Sequence, residues 1–303
     1  MAASPLRPVV ATAPAMSRLT PGQVARRRLL AHGGLRVGGT YIAIVVLAAV
    51  LAPVLTVHDP ALQDLSIRLL DPVWGPHGTW EHVLGTDQAG RDIFARLLYG
   101  SRLSLLIGVF TVALSGLIGT ALGLVAGFWG GWVDHAVMFL VTTRLTMLVV
   151  LVALVVVAVV GGSVTVLVLV IGCLLWDRFA IVVRTATQQI AKREFITSAR
   201  CIGSSTSRIL LREILPNLVG ALVVVASIEL AQAILLEAAL SFLGLGVQPP
   251  HFTWGLMIAE AKSQLLFRPF LIAVPGVALV LLVLSVNLVG DALRDALAPD
   301  GRN

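Results

Sequence analysis

Residues 217–240 are numerous and apolar enough to cross a bilayer, yet they carry two acids, Glu229 and Glu237. An ionisable group at mid-membrane depth costs about 2.5–3.5 kcal/mol on insertion scales. Glu229, near the middle, must therefore face a polar path, meet a partner group or hold a proton. Glu237, one helix end later, reads as interfacial. A second reactive group of residues lies earlier, where Asp59, Asp64, Asp71, Glu81, Asp87 and Asp92 are interleaved with Arg91 and Arg96. Such acids could hold calcium, but the alternating spacing of an EF-hand loop is missing. Asp92 and Arg96 stand four apart and could pair on a helix.

Other chemistries are absent. There is no Gly-x-x-x-x-Gly-Lys-Ser/Thr phosphate loop, so ATP hydrolysis by that route is not expected. Neither a His-Glu-x-x-His pair nor a Gly-x-Ser-x-Gly elbow occurs. The six histidines are scattered without metal-ligand spacing, and Cys173 and Cys201 have no plausible partner, so no metal site and no disulfide framework are expected. No cofactor is expected in the chain itself. A conduit, a receptor or a scaffold remains, not an enzyme.

The elements that must position these residues are set by lipid. Hydrophobic residues make up 57% of the 303 and charged residues only 13%, whereas a soluble domain carries about 25% charged residues. A bilayer core needs roughly 20 apolar helical residues per crossing. Residues 37–57 and 103–133 are uncharged spans, and in the second Gly119, Gly123 and Gly127 recur every fourth residue, which lets another helix approach closely. Residues 145–176 are too long for one crossing, and Gly161-Gly162-Ser163 divides them into two. Residues 217–240 and 269–290 make the fifth and sixth. Residues 238–259 are also uncharged, but Gly244, Gly246, Pro249, Pro250 and Gly255 break helical hydrogen bonding, so they form a non-spanning loop. The expected fold is an all-α membrane protein of six transmembrane helices.

Charge orients it. Residues 1–36 hold Arg7, Arg18, Arg26, Arg27, Arg28 and Arg36 and no acid, while the loop after the fourth span holds Arg178, Arg184, Lys192, Arg193, Arg200, Arg208 and Arg212. Positive loops stay in the cytoplasm, so both termini are expected inside. The organisation reads as a basic disordered tail over 1–36, a first helix over 37–57 and an extracytoplasmic loop over 58–102. A five-helix core follows over 103–290 with a cytoplasmic loop at 184–216, then a tail over 291–303. The outer loop is expected to carry an interfacial helix near 86–98, with Thr86 as its N-cap and Asp87 and Arg91 turned to water or to a neighbouring subunit. In the cytoplasmic loop Phe195, Ile196, Ala199, Ile202 and Gly203 fall on one helix face, and Thr197, Ser198, Arg200 and Cys201 on the other. A second short helix would carry Ile209, Leu210 and Ile214 and end near Pro216. Together they form a knob for a soluble partner, or an amphipathic linker lying on the headgroups.

The run Phe195-Ile196-Thr197-Ser198-Ala199-Arg200-Cys201-Ile202-Gly203, followed by Ile214-Leu215-Pro216-Asn217, resembles the Glu-Ala-Ala-x-x-x-Gly loop of ABC importer permeases. Leu84-Gly85-Thr86-Asp87-Gln88-Ala89-Gly90-Arg91-Asp92 resembles the extracytoplasmic signature of the dipeptide/oligopeptide/nickel group, in its C-type subunit. Segments 127–134, 237–250 and 287–295 are similar to the same group, and the resemblance covers about 38–299. It implies a type I ABC importer permease fold in the inner membrane of a prokaryote. The implied partners are a homologous second permease, one or two ATPase subunits carrying ATP-Mg, an extracytoplasmic binding protein and membrane lipid; nucleic acid is not among them. It assigns ATPase docking to Phe195, Thr197, Ala199, Arg200 and Gly203. The signature residues are Gly85, Thr86, Asp87, Gly90, Arg91 and Asp92. Glu229 is placed on the translocation path, where it would contact the substrate's ammonium, or in a structural hydrogen bond to the partner subunit. Uptake of dipeptides or oligopeptides is the implied activity; a non-transporting anchor or sensor is the other reading. The chain departs from the pattern where the signature Glu-Ala-Ala is Thr197-Ser198-Ala199, and where the third span has Thr142 and Leu148 for the usual Asp and Pro.

The topology is tested with Ser66→Cys and Ser205→Cys, each in a background lacking Cys173 and Cys201. An impermeant thiol reagent applied to intact cells should label the first variant and spare the second; the reverse pattern overturns the six-span topology.

Overall fold

A computed structural model of the chain describes residues 33–297. It is built of helices, with no β-strand among the described residues. In chain order they are α1 (Gly33–Leu55), α2 (Ile93–Trp129), α3 (Gly131–Thr146), α4 (Val149–Val160), α5 (Val164–Leu174), α6 (Asp177–Ile190), α7 (Glu194–Cys201), α8 (Thr206–Phe242), α9 (Trp254–Ala261) and α10 (Phe270–Leu297). By length and composition α1, α2, α8 and α10 can each cross a membrane. The pairs α3–α4 and α5–α6 pass the same test but bend by 86° and 41°, so the number of spans is four, or up to six if each bent pair crosses once. Leu117, Phe139 and Val159 are 70% exposed or more on these helices, an apolar exterior that only lipid would solvate.

Several boundaries differ from the sequence expectation. Residues 33–36 of the basic segment are already helical, and residues 1–32, with the rest of that tail, lie outside the described residues, as do 298–303. No separate helix forms over 86–98. Asp92 is the N-cap of α2, its side chain accepting from Ala95 N, and the helix runs unbroken from Ile93 through the span. Asp92 replaces Thr86 because a carboxylate at the cap satisfies a free amide of the first turn and meets the positive helix end. The loop expected over 184–216 is shorter: α6 continues to Ile190 and α8 begins at Thr206. The expected second short helix is the first part of α8, where Ile209–Ile214 is π-helical and passes into α-helix at Leu215. Pro216 falls in the first turn of that α-helical part, where its missing N–H is tolerated.

Gly161 and Ser163 do turn the chain. Gly161 (φ 107°) closes α4, and the Ser163 hydroxyl accepts from Val166 N to start α5. Beyond α8 the segment 243–253 is not helical, and the Thr253 hydroxyl caps α9 by accepting from Leu256 N. The non-helical part of the loop expected over 238–259 is therefore shorter: residues 238–242 complete α8 and residues 254–259 belong to the short helix α9.

The tightest packing joins α2 to α6. A Cβ on Gly119 would stand 2.2 Å from the Trp176 carbonyl oxygen, one on Gly123 2.7 Å from that of Ala180 and one on Gly127 2.7 Å from that of Arg184. The glycine stripe thus meets a carbonyl stripe of the same four-residue period, and the two backbones touch. Around this contact the apolar core divides. Val45, Ile234, Met257 and Leu282 gather α1, α8, α9 and α10, whereas Leu124, Val183, Ile196, Ile209 and Leu218 gather α2, α6, α7 and α8.

Gly123→Ala should lower the stability of the detergent-solubilised protein by about 1–3 kcal/mol, the usual cost of overpacking. Gly39→Ala, at a position with nothing within 4 Å, should leave the melting temperature at or above the parental value.

Candidate functional site

Three arrangements of polar side chains are built on this frame. The first joins the start of α2 to α9. Asp87 accepts from Ala89 N (2.8 Å) and Arg91 N (3.0 Å) with Oδ1, and from Arg91 Nε (2.7 Å) and Arg96 with Oδ2. Both arginines also donate to Glu260 Oε2, at 3.0 Å from Arg91 Nη2 and 2.5 Å from Arg96 Nη2. Gln88 Nε2 adds bonds to Glu260 O (2.8 Å) and Ser263 Oγ (2.9 Å). The Arg96 guanidinium lies 5.1 Å over the Phe252 ring and is almost fully buried. Two cations thus balance two carboxylates beside a cavity of about 330 Å³, the condition under which burial of charge is tolerable.

The loop that delivers these groups is held by the other signature residues. Thr86 Oγ1 accepts from Leu70 N (2.9 Å) and donates to Ile67 O. Gly85 (φ 79°) and Gly90 (φ 74°) occupy the left-handed region, and a Cβ on Gly90 would stand 1.7 Å from Asp64 O, so no other residue fits there. The Ser66 hydroxyl and amide both donate to Asp64, holding its carboxyl below the usual carboxylate range. Two expectations are corrected. Asp87 and Arg91 are buried against α9 instead of turned to water, because Glu260 and Asp87 together supply the charge Arg91 needs. Asp92 and Arg96 do not pair: Asp92 is taken up by Ala95 N and His82, and Arg96 by Asp87 and Glu260.

The second arrangement sits where the breaks of the two bent pairs meet α8. Arg144, at the end of α3, donates to Leu174 O at the end of α5, and its Nη1 lies 3.1 Å from Asp177 Oδ2 at the start of α6. Arg178 Nη1 lies 3.3 Å from Glu229 Oε1. Glu229 is 1% exposed, and neither of its oxygens has an aligned hydrogen-bond donor. Arg144, Asp177, Arg178 and Glu229, with Gln232, line a cavity of about 420 Å³. Arg144 turns inward at the end of α3, where the Leu174 carbonyl accepts from its guanidinium and the Asp177 carboxylate balances its charge. Glu237 is likewise buried, accepting from Ser241 Oγ and Thr253 Oγ1 at 2.8 Å each, and it ties the end of α8 to the start of α9.

The third arrangement is α7, at the opposite end of the bundle from Glu260. Ile196 is fully buried against α6 and α8 and Ala199 packs beside it, but Phe195 and Ile202 are exposed, the latter at 83%. The single apolar face read from the sequence is therefore split between core and surface. Gly203 (φ 83°) ends the helix: its N–H bonds Arg200 O and the Ser204 N–H bonds Ala199 O, both at 3.0 Å, the Schellman pattern that glycine favours. The Arg200 guanidinium stacks 4.8 Å over Phe128 at the end of α2. Thr197 is exposed, and Phe195, Ser198, Ala199, Ile202, Gly203 and Arg208 line an open cleft of about 600 Å³.

Sequence reasoning missed Glu260, the Arg144–Asp177 and Arg178–Glu229 pairs, and the bidentate Arg184–Asp134 pair that fastens α3 to α6. A usable signal existed for the last three. Their charges flank or interrupt apolar runs, where lipid would demand a partner.

Residues 119–303 match the family described as binding-protein-dependent transport system inner membrane component. This chain belongs to that family. Residues 20–72 match the N-terminal TM domain of oligopeptide transport permease C, in keeping with the C-type resemblance of the 84–92 motif. The permease is 37% identical over 274 residues to the di/tripeptide transport system permease protein DppC of Pseudomonas aeruginosa, covering 90% of each chain. It is 36% identical to the dipeptide transport system permease protein DppC of Haemophilus influenzae, over 88% of this chain and 90% of that one. It is also 37% identical to the glutathione transport system permease protein GsiD of Pectobacterium atrosepticum, over 92% and 91%. In fold it is similar to a chain of the inward-facing MetNI methionine ABC transporter, with a TM-score of 0.53 at 17% identity over 67% of this chain and 97% of that chain. The permease is thus an inner-membrane component of an ABC importer.

Removing one acid from the first arrangement tests its weight. Asp87→Asn leaves the buried Arg96 with Glu260 alone and should destabilise the permease by about 3–5 kcal/mol, read as a lower thermal midpoint in detergent. Glu260→Gln should cost less, since that side chain is partly solvated.

Proposed function

We propose that the permease is one of two homologous six-span subunits lining the path of a binding-protein-dependent importer of dipeptides or oligopeptides. One or two ATPase subunits carrying ATP-Mg drive it from the cytoplasm, where both termini lie. An extracytoplasmic binding protein delivers the solute on the side of the 58–92 loop. The peptide class follows the names of the relatives, which share nearly the full length of the chain.

The observation that carries this reading is the exposed apolar pair Phe195 and Ile202 on a short helix that is otherwise firmly anchored. A linker resting on headgroups needs no Schellman stop, no buried isoleucine and no cleft beside it. A rigid, apolar-tipped helix at one end of the bundle has the form of a docking element that passes force from a soluble partner to α6 and α8. Thr197, Ala199 and Gly203 shape it, while Arg200, stacked on Phe128, braces it against α2. The charged cavity at Glu229 supports transport over a non-transporting anchor. An anchor has no use for four ionisable groups at the junction of two broken helices, whereas discontinuous helices around a polar site suit a translocation path.

The test is reconstitution of the complete importer in proteoliposomes. Ile202→Asp should weaken ATPase retention roughly 30-fold, the lower end of one interface hot spot, and lower ATP-dependent uptake with it. The variant should still insert normally, since Ile202 makes no core contact. Parental uptake with the ATPases fully retained would show that α7 is a surface linker.

A further inference from the structure

Away from these three arrangements, the loop between α1 and α2 gathers a set of metal-type ligands. His58 follows the end of α1 at Leu55 by three residues, His82 lies in the latter part of the loop, and Asp92 caps α2. One ligating atom from each lies within 4.8 Å of the other two. The two imidazole centroids are 4.6 Å apart with ring planes inclined at 39°. Two imidazoles on one tetrahedral zinc, with Zn–N about 2.0–2.1 Å, place their centroids roughly 5 Å apart, so the rings already stand near coordinating separation. Asp92 is held in place by Ala95 N on Oδ1 (2.6 Å), leaving Oδ2 to face His82 Nδ1 at 2.8 Å. Glu81 Oε1 is 3.8 Å from His58 Nε2, on a side chain that is 74% exposed and so free to swing.

We propose that His58, His82 and Asp92, completed by Glu81, bind one divalent transition-metal ion, with zinc the best match. Two neutral imidazoles and two carboxylates form a borderline nitrogen–oxygen set of four that suits a small tetrahedral dication. Calcium and magnesium demand six or more oxygens, which this cluster does not offer. The two carboxylates cancel the charge of the dication. The metal takes the place of the hydrogen bond between His82 and Asp92, while Asp92 keeps its cap through Oδ1. The consequence is a cross-link between the exit of α1 and the entry of α2. Sequence spacing conceals it, because the ligands are separated by 24 and 10 residues and converge only through the loop fold.

The experiment uses the full-length chain in detergent, purified with a tag free of histidine and carrying Cys173→Ser and Cys201→Ser, since both thiols are exposed. Cobalt(II) is titrated first, then displaced with zinc. One equivalent of cobalt should bind with the intense visible bands of a tetrahedral site, and zinc should bleach them and raise the thermal midpoint. His58→Ala should weaken cobalt binding at least 100-fold and Glu81→Gln at least tenfold, since even changes in the outer shell cost about 10–100-fold. Glu81 is exposed, so its variant will fold even if the histidine variant does not. Absence of tetrahedral bands in the parent overturns the site. So does parental affinity in Glu81→Gln together with either His58→Ala or His58→Asn.

Discussion

The contact on which the rest of the permease depends is the backbone-to-backbone meeting of α2 and α6. In lipid there is no hydrophobic force to press helices together, so association rests on packing and polar pairing. Gly119, Gly123 and Gly127 supply the packing by presenting bare backbone to the carbonyls of Trp176, Ala180 and Arg184. The position of α6 then decides much else. Its first turn aims Asp177 at Arg144 and Arg178 at Glu229, its middle sets Arg184 against Asp134, and its end delivers the chain to α7.

Buried charge is the second constraint, and it is met with consistent economy. Several ion pairs join elements that the chain itself does not connect directly. Asp87 and Glu260 link the entry of α2 to α9, Arg144 bridges two helix breaks, and Arg184 and Asp134 join α6 to α3. In a low-dielectric setting the loss of one partner is expensive, so these pairs specify which helices are neighbours. Glu229 is the exception. It has an opposite charge nearby but no aligned donor, and it borders a cavity. That is the position of a group whose partner can change.

Much of this was legible in the residues themselves. Apolar length showed the membrane character, the four-residue glycine period showed that a helix would approach α2 closely, and the motifs at 84–92 and 195–203 pointed to the family. The failures have physical reasons. The 86–98 segment has helical periodicity, but Gly90 against Asp64 O and the Asp92 cap delay the helix to Ile93, and both effects depend on a loop fold that local pattern cannot report. Phe195 and Ile202 share the helical stripe of Ile196, yet whether a stripe residue meets core or solvent depends on where α8 lies. Arg91 reads as turned to water or to a neighbouring subunit, and Arg96 as a partner of Asp92, because their partner Glu260 is more than 160 residues away.

The length of α2 and α8 has a mechanical consequence. Each holds 37 residues, about 55 Å of helix at 1.5 Å per residue, against a hydrocarbon core of about 30 Å. Both rods therefore overhang the bilayer, and α7 is clamped beside them through Phe128 on one and the Ile209 region on the other. A push on α7 is a push on the free ends of two levers whose remaining length is gripped by lipid. The π-helical turn at Ile209–Ile214 sits near the base of one overhang. A wider, less tightly bonded turn at that place makes α8 the compliant lever and leaves α2 the stiff one, so displacement at one end of the molecule is shared unequally between them.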